Sequence, residues 1–240
     1  RKGFGGYGRT ISSMLKGKGT LTPIQKNLLY EIGKIREASF FFLTGGTALG
    51  EFYLGHRRSY DLVFFTSEEN LLIPFIRRVE EGLAKTQYKV HVIRLLESFA
   101  EVEAQKAEET VRLHFACDSP FRFEEPQLSE FGVKSNDYRD LTVDKLLTFF
   151  GRWKHRDAID LFFILKNEPI EALMELAKEK DPGFDLYWFC MALREIEAYP
   201  DEITQWPVDM LVEVNVSELK NKFADLAREI MGRIKKDQPG

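Results

Sequence analysis

The chain has 240 residues, a hydrophobic fraction of 44%, a charged fraction of 30% and a formal net charge of −4. That length carries one large domain or two small ones with ample core, and the composition is that of an ordinary soluble globular protein rather than a disordered or collagen-like one. A mildly acidic balance excludes a uniformly basic coat, so any nucleic acid would have to meet a local cationic patch.

Cys117 and Cys190 lie far apart and form no metal-binding spacing, which makes a reduced, cytoplasmic setting the default. No apolar run reaches membrane-spanning length, and the N-terminal stretch lacks the continuous apolar core of a signal peptide. Residues 1–20 carry five Lys or Arg, no acid and many glycines, and are expected to form a flexible basic tail. The absence of an initiator Met points to a processed or engineered start.

Apolar spacing predicts a helix over 23–37, with Pro23 in its first turn and Ile24, Leu28, Leu29, Ile32 and Ile35 on one face. Residues 41–43 read as a short buried strand. Gly45 and Gly46 follow at once, then a helix opened by Thr47 and stopped by Gly55, a cationic loop of His56, Arg57, Arg58 and Ser59, and a second strand from Asp61 through Phe65. A Gly–Gly pair alone reads as a plain turn. Between a strand and a helix whose N-terminal N–H groups attract anions, it reads as a phosphate-binding turn.

Residues 68–85 predict an amphipathic helix interrupted or kinked at Pro74. Segments 88–96, 99–105 and 110–116 alternate as β-strands, clearest in YKVHVIRL and TVRLHFA. The expected core is therefore a mixed sheet of about five strands flanked by helices. Residues 120–140 read as a connecting loop. From Thr142 the pattern is helical over 142–153, 156–167, 169–179, 184–198 and 217–235, with a weaker helix at 208–214. The expected organisation is a basic tail (1–20), an α/β core (21–125) and a C-terminal helical region (126–240).

The strand–GG–helix–strand unit with an acid on its second strand resembles the polymerase-β-like nucleotidyltransferase superfamily. The wording GGTAL followed by LGHRRSYDLVFFT resembles its AbiEii/AbiGii toxin branch, the type IV toxin–antitoxin toxins. LTVDKLLTFFGRWKHRDAIDLFFIL resembles the downstream signature of that branch. The resemblance implies transfer of a nucleoside monophosphate from an NTP, with Mg²⁺, to an RNA (tRNA among them), protein or small-molecule acceptor. It implies nucleotide binding by Gly45, Gly46, Thr47, Arg57, Ser59 and Lys145, and catalytic parts for Asp61, Lys145 and Asp157. A cognate antitoxin would be a separate chain. RDxxD on an amphipathic helix is also a common packing device, and Asp160 is read in that sense.

One departure is visible in the sequence. The superfamily pattern places an acid–x–acid pair on the second strand and a third acid on a neighbour. Here the pair reads Asp61-Leu62-Val63, and alternation puts Val63 on the face of Asp61, where it offers a metal nothing. The third position falls at His114, with Asp118 just beyond the strand. Asp61 is left as the metal-binding carboxylate. A catalytically degenerate member that binds nucleotide or a protein partner without turnover is the alternative reading.

Overall fold

Thr22 starts the first helix. Its hydroxyl accepts from the Gln25 N–H, and the Gln25 side chain accepts in return from the Thr22 N–H, a complete capping box. The helix, α1, spans Pro23–Gly33 in the computed structural model, which describes residues 14–237. It is shorter than expected: a 3₁₀ turn, Arg36–Phe40, takes up the rest. Strand β1 (Phe42–Thr44) leads straight into α2 (Gly45–Ala48), which continues as a π-helical turn over Leu49–Leu54. The helix thus opens at the glycines, two residues before Thr47. Gly55, at φ 67°, ends it as expected, its N–H donating to the Gly50 carbonyl at 2.8 Å.

A short strand β2 (Arg57–Arg58) precedes β3 (Leu62–Thr66). Helix α3 is Leu72–Ala84, so Pro74 lies in its first turn and kinks nothing, since the N–H groups there have no intrahelical acceptor. The meander β4 (Lys89–Leu95), β5 (Phe99–Lys106) and β6 (Glu109–Cys117) matches the alternation read from sequence. Two more strands, β7 (Gln127–Leu128) and β8 (Lys134–Ser135), occupy the stretch read as a loop. Two-residue strands are too short to show a period.

All of these strands but β2 form one mixed seven-stranded sheet in the order β4-β5-β6-β3-β1-β8-β7. β3 runs parallel to β6 and antiparallel to β1, and β1 runs parallel to β8. One face is apolar. Leu62, Phe64, Phe115 and Leu113 are buried there against α1 and α3, with the Phe41 and Phe75 rings stacked at 4.0 Å and Phe64 and Phe115 at 5.3 Å. The opposite face carries Val63, Phe65 and His114, all half-buried. Residues 15–20 of the expected tail, and Leu21 after them, bond to this layer: Leu15 N–H donates to the Leu128 carbonyl at 2.9 Å, and the buried Glu51 carboxylate accepts from Thr20 N–H at 2.6 Å and Leu21 N–H at 3.0 Å. The rest of that expectation, residues 1–13, lies outside the described residues.

The described residues divide into two compact units, 14–141 and 142–237. The division falls within α4 (Tyr138–Arg152). That helix begins four residues before Thr142, the expected start, which is therefore interior. The second unit contains α5 (His155–Ile164), α6 (Ile170–Lys180), α7 (Leu186–Glu195), a short strand β9 (Asp209–Met210) where a weak helix was expected, and α8 (Val216–Asp237). Its core is aromatic: Phe149 meets Phe189 and Phe223 at 6.3 and 5.8 Å, and all three are fully buried.

Candidate nucleotide-binding site

Gly45 has φ +71°, a backbone region that costs any L side chain about 1–2 kcal/mol. The turn it makes brings the backbone of Gly46 against the loop before β3. A Cβ on Gly46 would stand 2.6 Å from Arg57 Nη2 and 3.2 Å from Ser59 Oγ. Four of the residues read as nucleotide-binding, Gly45, Gly46, Arg57 and Ser59, are therefore gathered within one unit.

Thr47 and Arg57 are both turned into the fold. Thr47 is buried, and its hydroxyl donates to the Asp61 carbonyl at 2.6 Å. Arg57 is only 4% exposed, and its Nη1 donates to the Arg58 carbonyl at 3.0 Å, while His56 is fully buried. Of the cationic loop only Arg58 is well exposed.

Asp61 is half-buried at the entry to β3, and its carboxylate forms no hydrogen bond or ion pair among the described residues. Val63 pairs with Thr44 on one side and His114 on the other. His114 in turn faces Glu101 of β5, Nε2 to Oε1 being 3.9 Å. Asp118 is engaged with Arg122 at 2.9 Å. Among the described residues no three His, Cys, Asp or Glu side chains gather as a metal site. Mg²⁺ is commonly held by one or two carboxylates with water and substrate phosphates completing the octahedron. The unengaged Asp61 fits that limited part.

The second constellation lies wholly in the helical unit. Lys145 Nζ is 2.7 Å from Asp160 Oδ2 and 3.3 Å from Asp157 Oδ1. Arg152 grips Asp157 with two bonds, Nε to Oδ2 at 2.7 Å and Nη2 to Oδ1 at 3.0 Å. Both carboxylates are fully buried. Two cations thus meet two anions. Beside it the His155 ring stacks on Tyr199 at 4.1 Å and meets the edge of Trp206 at 5.0 Å. Burial holds the His155 pKa below its ordinary value, while burial and then the Asp157 and Glu195 charges push the Tyr199 hydroxyl up to about 12. The Tyr199 hydroxyl donates to the Trp153 carbonyl.

A family model described as nucleotidyl transferase AbiEii toxin, type IV toxin–antitoxin system, matches residues 27–236. The chain belongs to that family. Solved structures similar to this AbiEii-family chain include a Helicobacter pylori protein assigned as a nucleotidyltransferase, 20% identical with a TM-score of 0.61 over 92% of this chain and 100% of that one. The nucleotidyltransferase toxin MenT4 of Mycobacterium tuberculosis is 15% identical, with a TM-score of 0.56 over 86% of this chain and 85% of that one. H. pylori JHP933 is 18% identical with a TM-score of 0.51 over 92% and 95%. At these identities the likeness is one of fold, and it bears out the mixed-sheet nucleotidyltransferase-like architecture. No curated protein sequence matches the chain significantly. Among the described residues no helix is long and apolar enough to cross a membrane.

Sequence reasoning missed Gln25. Its buried amide donates to the carbonyls of Ser59 at 2.8 Å and Tyr60 at 3.0 Å. The T-x-x-Q spacing from Thr22 to Gln25 signals the helix start, but nothing local signals the loop contact.

Proposed function

We propose that this AbiEii-family chain transfers a nucleoside monophosphate from an NTP to an RNA, protein or small-molecule acceptor. The observation that carries the reading is the approach of the Gly46 backbone to Arg57 and Ser59, which leaves no room for a Cβ. Only a glycine lets the Gly46 main chain and the Arg57 guanidinium stand that close, and a glycine turn backed by a cation suits a phosphate chain. Asp61 would hold Mg²⁺ carried on the triphosphate, which neutralises charge on the phosphates. In the reaction the acceptor attacks the α-phosphorus and pyrophosphate leaves. Lys145 and Asp157 take their parts from the family resemblance, Lys145 toward phosphate and Asp157 as its orienting partner. The cytoplasm, where NTPs and tRNA are abundant, is the proposed setting, and an antitoxin encoded as a separate chain the proposed counterpart.

Val63 favours a second reading, a nucleotide-binding protein without turnover, because an apolar side chain stands two residues beyond Asp61, where strand alternation calls for the second acid. Transfer of label from α-labelled NTPs, with Mg²⁺ or Mn²⁺, into total tRNA and lysate proteins separates the two. The chain is run beside Val63→Asp and Lys145→Ala. Transfer by the chain itself, lost in Lys145→Ala, supports the enzyme. Transfer by Val63→Asp alone supports the binding protein. Silence from all three overturns the transferase reading.

A further inference from the structure

Four consecutive carbonyls on the way into β3 are each held by a side chain. Arg57 Nη1 donates to Arg58 O at 3.0 Å, Gln25 Nε2 to Ser59 O at 2.8 Å and Tyr60 O at 3.0 Å, and Thr47 Oγ1 to Asp61 O at 2.6 Å. Two of the four contacts come from one amide. Gln25 is 1% exposed, and both of its side-chain N–H donors are spent on the loop.

The chemistry of residue 25 separates helix capping from loop binding. The capping box needs only an oxygen at this position, and Gln25 Oε1 provides it, accepting from Thr22 N–H at 3.0 Å. A glutamate would serve that bond equally and would suit the positive end of the helix better. The amide nitrogen is surplus to the helix. Its donors matter only for Ser59 and Tyr60, the residues between the guanidinium at the glycine turn and the Asp61 carboxylate.

We propose that Gln25 is a positioning residue of the nucleotide site: its amide fixes the backbone at Ser59 and Tyr60, so that Ser59 and Asp61 flank the Gly45–Gly46 turn in one arrangement. The inference rests on the nucleotide reading of that turn. A loop already rigid in the free protein loses little conformational freedom when phosphate arrives. Loss of both donors would take from the Ser59 and Tyr60 carbonyls the bonds to Gln25 and let the loop shift.

Three variants of the full chain test this. Gln25→Glu keeps an oxygen for Thr22 but turns an anion on the two carbonyls. Gln25→Met keeps the volume and removes the donors. Thr22→Val removes the cap hydroxyl and leaves Nε2 in place. Binding of Mg·ATP, GTP, CTP and UTP is read by calorimetry, and backbone hydrogen exchange is followed over residues 57–62. With both Gln25 variants, affinity for the bound NTP should fall about tenfold or more and exchange over the loop should quicken by a similar factor, as expected for a displaced binding group. Thr22→Val should lower the unfolding temperature yet keep wild-type affinity. In the wild-type chain the Gln25 carboxamide ¹⁵N–¹H resonances should shift on adding NTP, a signature that needs no variant to fold. If the wild type binds an NTP while Gln25→Glu binds it equally well, or the carboxamide resonances stay in place, the inference falls and the nucleotide reading stands. A wild type that binds no NTP overturns both.

Discussion

Lys145 Nζ lies 2.7 Å from Asp160 Oδ2, with the lysine side chain 7% exposed and the aspartate fully enclosed. The amine that the family resemblance directs at phosphate is thus also the counter-charge of a buried acid. Removing the lysine takes from the buried Asp160 its counter-charge at 2.7 Å. Lys145→Met should lower the unfolding free energy by about 3–5 kcal/mol, measured by urea titration. Asp160→Asn, which keeps a hydrogen-bonding group in place, should cost less, about 1–3 kcal/mol. Equal stability of Lys145→Met and wild type would show the quartet to be energetically idle. Any loss of activity in a Lys145 variant has to be read beside this number.

The two glycines of the turn should fail for different reasons. Gly46→Ala drives a Cβ to 2.6 Å from Arg57 Nη2, and the buried guanidinium must move, a cost of about 1–3 kcal/mol. Gly45→Ala meets nothing closer than Val63 at 3.9 Å, and its penalty is the positive φ, about 1–2 kcal/mol. Asparagine, which tolerates that conformation, should therefore rescue position 45 and not position 46. Thermal unfolding of the four variants checks it.

Arg57 and Arg58 are neighbours with opposite exposures. Arg57→Ala removes a buried, hydrogen-bonded side chain and should destabilise by about 1–3 kcal/mol. Arg58→Ala, at an exposed side chain, should change stability by less, about 0–1 kcal/mol. For docking of an RNA acceptor on this loop, Arg58→Ala should flatten the slope of log affinity against log salt by about one. An unchanged slope, measured by filter binding across a salt series, discards Arg58 as a phosphate contact.

His155 should make stability fall on the acid side. Its folded pKa is held below the ordinary 6.5 by burial. Unfolding then takes up a proton as the pH drops below about 6.5, so the stabilisation present above that value is lost as the pH falls through the folded pKa. Replacement by Phe keeps the stack on Tyr199 and removes the titration. Denaturation midpoints of His155→Phe should decline less than those of wild type between about pH 6.5 and 5, and parallel curves would assign the acid loss to other groups.

Much of the fold was legible because its signals are local. Alternation in β4, β5 and β6 reports which side chains face inward, and the structure keeps those segments within a residue or two. The strands β7 and β8 were not legible, since two residues hold no period and pair only because β1 offers an edge. Pro74 misled in the opposite sense. A proline marks a break only inside a helix, and where the helix begins was set by packing of Leu72 and Phe75, both fully buried.

The sequence by itself determined where the chain must turn and which residue types crowd one signature, because backbone preference acts within a few residues: Gly45 and Gly55 take positive φ, and Asp61 leads a strand whose next same-face residue is Val63. Only the tertiary structure decided what those residues touch. Gln25 reaches Ser59 across 34 positions, Arg57 is turned inward, and Lys145 is divided between two buried acids on the following helix. A hydrogen bond or ion pair depends on distance in space and on exclusion of water, and neither exists until the elements have packed.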